Sequence, residues 1–230
     1  MEDKKLPEGI CGLYLGGGYP ELHAGKLSEN SGMRHAIFEA VRHGMPTIAE
    51  CGGFLYLQKE LEDADGQVWE MTGVLDGSGF RTNRLQRFGY AVMTAKENSM
   101  LFEKGESIPV HEFHYWDCTQ NGTAFEMKKP VGNKTWEGSV AGSSLYAGFP
   151  HLYFLAEPRL AERFARAAEK WQEKQREKAF KSAESDIGAG QKGSVGSEAT
   201  MGQCGEAPGK PRTFGGCTDS DCSADWERGH

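Results

Sequence analysis

Two residues of this chain pair a reactive side chain with a setting that can use it. Cys51 stands in "MPTIAECGGFLYLQKEL", between a short apolar run and two glycines, and His151 follows the apolar stretch "GSSLYAGFP". A thiol at a sharp turn from strand to helix is held out from the backbone as a nucleophile. Such a turn costs about 1–3 kcal/mol of backbone strain. It also needs small neighbours so that nothing clashes, a need that Gly52 and Gly53 meet. The helix that follows presents free N–H groups, which favour the thiolate and suit a tetrahedral oxyanion. The competing reading is an ordinary buried thiol, since free cysteine is among the most buried residue types.

A thiol nucleophile needs a base. Of seven histidines, His23, His35 and His43 lie near or on the first helical stretch, and His230 belongs to the polar tail. His111, His114 and His151 remain. "HEFHY" is one residue too short for the zinc motif HExxH, whose histidines sit one helical turn apart. On a strand, His111, Phe113 and Tyr115 face one side while Glu112 and His114 face the other. Either histidine lines a pocket or is a satisfied polar residue. His151 follows a strand end, where α/β enzymes place catalytic side chains.

The elements that must position these residues are legible from the pattern. "ICGLYLGGG" reads as a strand running into three glycines. Met33, Ile37 and Val41 are spaced for one face of a helix from Ser31 to His43, which Gly44 and Pro46 stop. "TIAE" forms the next strand and "GFLYLQKELED" a helix leaving Cys51. This alternation predicts an α/β domain with parallel strands. Further on, "GYAVMTA" and "VHEFHYWDCT" read as strands, and Asn121-Gly122 as a hairpin turn before "AFEMKKP". "GSSLYAGF" is another strand. An amphipathic helix starts at Pro158, with Leu160, Phe164 and Ala168 on one face.

Composition limits the function classes. The formal net charge of -7 over 230 residues argues against a nucleic-acid or membrane-surface partner, both of which need a basic face. No apolar run approaches the roughly 18 residues of a membrane span, and "MEDKKLPEG" lacks a signal peptide's apolar segment, so a cytoplasmic location is expected. Six scattered cysteines make no disulfide framework. Cys204, Cys217 and Cys222 lack the spacing of a zinc site, and no metal is expected. Residues 1–175 are expected to form the domain. Residues 176–230, rich in Gly and Ser and poor in large apolar side chains, are expected to be a disordered tail.

The motifs "GLYLGGGYPEL", "AECGGFLYL", "RFGYAV", "HEFHY" and "LYAGFPHLYF" occur in the order found in cobyrinic acid a,c-diamide synthases. The chain from about residue 5 to 170 resembles the C-terminal class I glutamine amidotransferase domain of that family. The resemblance implies a flavodoxin-like sheet flanked by helices. By position, Cys51 matches the glutaminase nucleophile and His151 the histidine that raises its nucleophilicity. The run Gly16 to Gly18 matches the loop that forms the oxyanion hole, giving Gly17 and Gly18, together with the backbone N–H of Gly52. Glu112 and His114 fall in a motif near the family's active site and are substrate-pocket candidates without an assigned role. The implied partners are L-glutamine and, through a synthetase domain using ATP and Mg2+, a corrinoid acceptor. The full enzyme is expected to be a homodimer.

Two departures accompany the resemblance. Many class I amidotransferases carry a carboxylate two residues after the catalytic histidine. Tyr153 occupies that position here, so the expectation is a dyad unless another acid, such as Glu157, reaches in. The family's P-loop synthetase domain does not occur in the sequence, and the amidotransferase domain itself reads as lacking its first strand and helix. A fragment or split subunit is therefore expected. The alternatives are an amidotransferase for a nickel tetrapyrrole or a cell-wall precursor, and an inactive assembly module.

Overall fold

The structure, a computed structural model, describes residues 2–190, with side chains described through residue 182. Residues 1–187 form one compact unit. Ten strands carry it: β1 Leu13–Leu15, β2 Thr47–Glu50, β3 Glu60–Glu62, β4 Val68–Glu70, β5 Ser78–Ala95, β6 Ser107–Cys118, β7 Phe125–Lys128, β8 Thr135–Gly138, β9 Val140–Ala141 and β10 Leu145–Gly148. The helices are α1 Ala24–Glu29, α2 Ser31–Arg42, α3 Gly52–Leu57 and α4 Pro158–Gly190, with a 3-10 turn at Pro20–Leu22.

The first sheet runs β1-β2-β10-β9, with β1, β2 and β10 parallel as the alternating pattern implies. Its central strand is buried on both faces. Ile48 belongs to the core that includes Met93, Phe102 and Tyr146, while Ala49 belongs to the core that includes Ile37, Phe54 and Ala147. Asn30 caps α2, its side-chain oxygen accepting from the Met33 N–H at 3.2 Å. Ile37 and Val41 of that helix are buried.

The second sheet is built on β5. β6 pairs along one edge of it, while β3 and then β7 pair with the other. The segment after Asn121-Gly122 is therefore not the second arm of a hairpin. β6 and β7 do not pair with each other but take opposite edges of β5, whose 18 residues present both. α3 is likewise shorter than its sequence suggests. It ends at Leu57, Gln58 is extended, and Leu61 is fully buried in β3, so packing overrides the helical propensity of "QKEL". α4 continues to residue 190, past the expected boundary at 175. Leu160 is buried at its start, and Arg163 bonds to Glu106 and to the carbonyl of Leu101. Residues 191–230 of the expected tail, including its three cysteines, lie outside the described residues. Among the described residues no helix is long and apolar enough to cross a membrane.

Candidate active site

Three segments leave the carboxyl ends of the parallel strands and converge. After β1 comes the loop Gly16–Gly18, after β2 comes Cys51, and after β10 the chain passes through Phe149 and Pro150 to His151. This edge is where a parallel sheet places its ligands.

Cys51 is the turn residue between β2 and α3. Its φ of 49° and ψ of -104° lie where a residue with a Cβ is strained, as a nucleophile elbow requires. The Cys51 N–H donates to the Gly148 carbonyl at 2.8 Å, and its carbonyl accepts from the Leu55 N–H at 3.0 Å, so the strained residue is fixed on both sides. The two glycines that follow are needed for close approach. A Cβ on Gly53 would overlap the Leu15 carbonyl, and one on Gly52 would lie 2.8 Å from the Gly18 oxygen. The Gly53 N–H is already taken by the Gly16 carbonyl at 3.0 Å, which locks the glycine loop against the turn.

His151 is held by its backbone N–H, which donates to the His111 carbonyl at 2.9 Å. Its ring lines the same cavity as the Cys51 side chain and places Nδ1 3.5 Å from Glu50 Oε2, while the Cys51 thiol donates to the Phe113 carbonyl at 3.9 Å. Hydrogen bonding to Cys51, and secondarily to Glu50, raises its pKa to about 10. The structure thus supplies a carboxylate that the sequence reading did not identify. Glu50 is 2% exposed. Its Oε2 accepts from the Tyr14 hydroxyl at 2.8 Å, and its Oε1 accepts from the Leu152 N–H at 2.9 Å. Burial, and then the Glu50 carboxylate, push the Tyr14 hydroxyl up, keeping it a donor. Glu157, the acid considered from sequence, instead pairs with Arg159 at 2.9 Å.

Residues 1–159 match the model of the CobB/CobQ-like glutamine amidotransferase domain. The chain belongs to this amidotransferase family. Over 166 residues it is 40% identical to the cobyrinate a,c-diamide synthase of Caldanaerobacter subterraneus subsp. tengcongensis, covering 71% of this chain and 37% of that protein. Over 164 residues it is 37% identical to the cobyrinate a,c-diamide synthase of Listeria innocua, covering 70% of this chain and 36% of that one. It therefore spans little more than a third of the length of these curated relatives. A crystal structure of a glutamine amidotransferase aligns with a TM-score of 0.49 at 20% identity, covering 70% of this chain and 81% of that one.

A cavity of about 260 Å³ opens over the thiol of this amidotransferase domain. Gly17, Gly18, Cys51, His114 and His151 line it together, with Glu21 beside them. Glu112 does not line it. It sits behind the wall, 3.2 Å from His114 Nε2 and 3.7 Å from Arg87 Nε. His114 stacks flat on Phe149 at 3.7 Å, and Arg87 lies over the same ring at 5.5 Å. Arg87 also bonds to Asp117. It turns inward through an irregularity of β5, where its φ is 47° and the register with β6 shifts. These groups brace the β6 wall of the cavity and the segment leading to His151.

Proposed function

We propose that this chain is the glutaminase part of a cobyrinate a,c-diamide synthase. It would hydrolyse L-glutamine to supply ammonia for amidation of the a and c carboxylates of a corrinoid. The observation that carries the reading is the strained Cys51, which shares a cavity with a His151 whose Nδ1 meets a buried Glu50. The shared name of the curated relatives supports the choice of acceptor.

The Cys51 thiolate attacks the side-chain amide carbon of glutamine. The oxyanion that forms is met by the Gly52 N–H and by the Gly17–Gly18 loop, one such donor contributing about 3–4 kcal/mol in the transition state. With Nδ1 toward Glu50, His151 offers Nε2 to the thiol and then protonates the departing ammonia. Water, activated by the same imidazole, hydrolyses the γ-glutamyl thioester to glutamate. A synthetase partner using ATP and Mg2+ would activate the acceptor carboxylate that receives the ammonia.

The test is alkylation by 6-diazo-5-oxo-L-norleucine, a glutamine mimic with an electrophilic carbon at the amide position. It should modify the peptide that carries Cys51, and excess L-glutamine should suppress the reaction. A folded chain that remains unmodified contradicts the reading.

A further inference from the structure

Glu21 is a buried carboxylate without a counter-ion. It stands in the turn Pro20–Leu22, directly beyond the glycine loop, and is 8% exposed. It lines the cavity that also holds Cys51 and His151. No lysine or arginine lines that cavity. Among the described residues no cation pairs with Glu21. Burial raises its pKa, and the opposing influence is its own backbone N–H. Its own backbone N–H is a hydrogen-bond partner but supplies no opposite charge, and a largely buried carboxylate is costly unless it is paired.

A ligand can supply the missing charge. The remaining wall is largely apolar and aromatic, with Leu55, Phe113, Tyr115 and Trp116. At about 260 Å³ the cavity has room for a ligand of glutamine's size. On the glutaminase reading the amide of glutamine lies at Cys51, which leaves its α-ammonium as the cation that Glu21 can meet.

We propose that Glu21 binds the α-ammonium group of the substrate and selects free L-glutamine over amides that lack that charge. This rests on the glutaminase reading of the cavity. Glu21 touches a part of the substrate remote from the reacting carbon, so its contribution is made alike in the ground and transition states and appears in KM.

The experiment measures iodoacetamide alkylation of Cys51 in the full chain, quantified on the Cys51 peptide, with three protecting ligands. These are L-glutamine, glutaramate, which is glutamine without the α-amino group, and N-acetyl-L-glutamine, which keeps the α-carboxylate but loses the positive charge. In the wild-type chain, L-glutamine should protect at a concentration at least about tenfold below either analogue, each tenfold corresponding to about 1.4 kcal/mol. In Glu21→Gln that preference should shrink below about twofold, with each ligand's protection scored against the variant's own unprotected alkylation rate. Equal protection of the wild type by all three ligands overturns the proposal without any variant. A preference that survives in Glu21→Gln, or a variant that weakens all three equally, also overturns it. L-glutamine giving no protection to the wild type would instead remove the glutaminase reading on which it rests.

Discussion

Cys51→Ala should lower glutamate release from glutamine by about 10⁴-fold or more, down to the uncatalysed background. Among the described residues no second thiol can substitute, because Cys11 and Cys118 do not line the cavity. The fold should survive. Alanine at this position keeps the strained φ of 49° that cysteine already tolerates, and only the sulfur is removed. The strain itself can be read in the same experiment. Cys51→Gly should be more stable than Cys51→Ala by about 1–2 kcal/mol, since glycine relieves 1–3 kcal/mol of strain and loses part of that to unfolded-state entropy. Urea denaturation of the two variants measures the difference. Equal glutamate release by wild type and Cys51→Ala would take Cys51 out of the mechanism, while equal stability of the two variants would show that the turn is not strained.

Glu50→Gln should reduce kcat by about 10²–10⁴-fold with little change in KM. The substitution preserves shape, and the amide oxygen can still accept from the Leu152 N–H, which now bonds to Oε1 at 2.9 Å. What disappears is the negative charge 3.5 Å from His151 Nδ1. The His151 pKa of about 10 should fall, while remaining above the ordinary 6.5 because the larger influence, the bond to Cys51, is retained. The sign follows from a folded-state pKa raised above its unfolded value. The stabilisation carried by the His151 proton is fully present below about pH 6.5 and is lost as pH rises through about 10. In Glu50→Gln that loss, and the alkaline fall of kcat as the imidazolium deprotonates, should both move to lower pH. An NMR titration of the His151 ring checks the shift directly. An unchanged midpoint with reduced kcat would make Glu50 a purely structural residue.

Much of the site was legible in the sequence because it rests on local geometry. The strand "TIAE", the pair Gly52-Gly53 and the short helix fix the Cys51 turn within a few residues, and His151 stands close behind a strand. Glu50 was not legible, although it adjoins the nucleophile. Its meaning comes from Tyr14 and Leu152, which lie 36 and 102 positions away and meet it only when β1, β2 and β10 pair. Arg87 was hidden for a similar reason, since an irregularity in β5 turns it inward and no periodicity announces it. Glu21 follows the legible glycine loop, but its burial is a tertiary fact. The second sheet was read in pieces because one strand of 18 residues with both edges occupied has no short-range signature. The alternation in β6 was legible as two faces, and the structure buries the one that carries Glu112 and His114.

The attack by Cys51 on glutamine is most directly tested by trapping its product. The full chain would be mixed with radiolabelled L-glutamine, quenched in acid during turnover and digested. A γ-glutamyl thioester should appear on the peptide bearing Cys51, and should be lost on treatment with hydroxylamine. Label found on another peptide, or retained in Cys51→Ala, would contradict a thiol mechanism at this site.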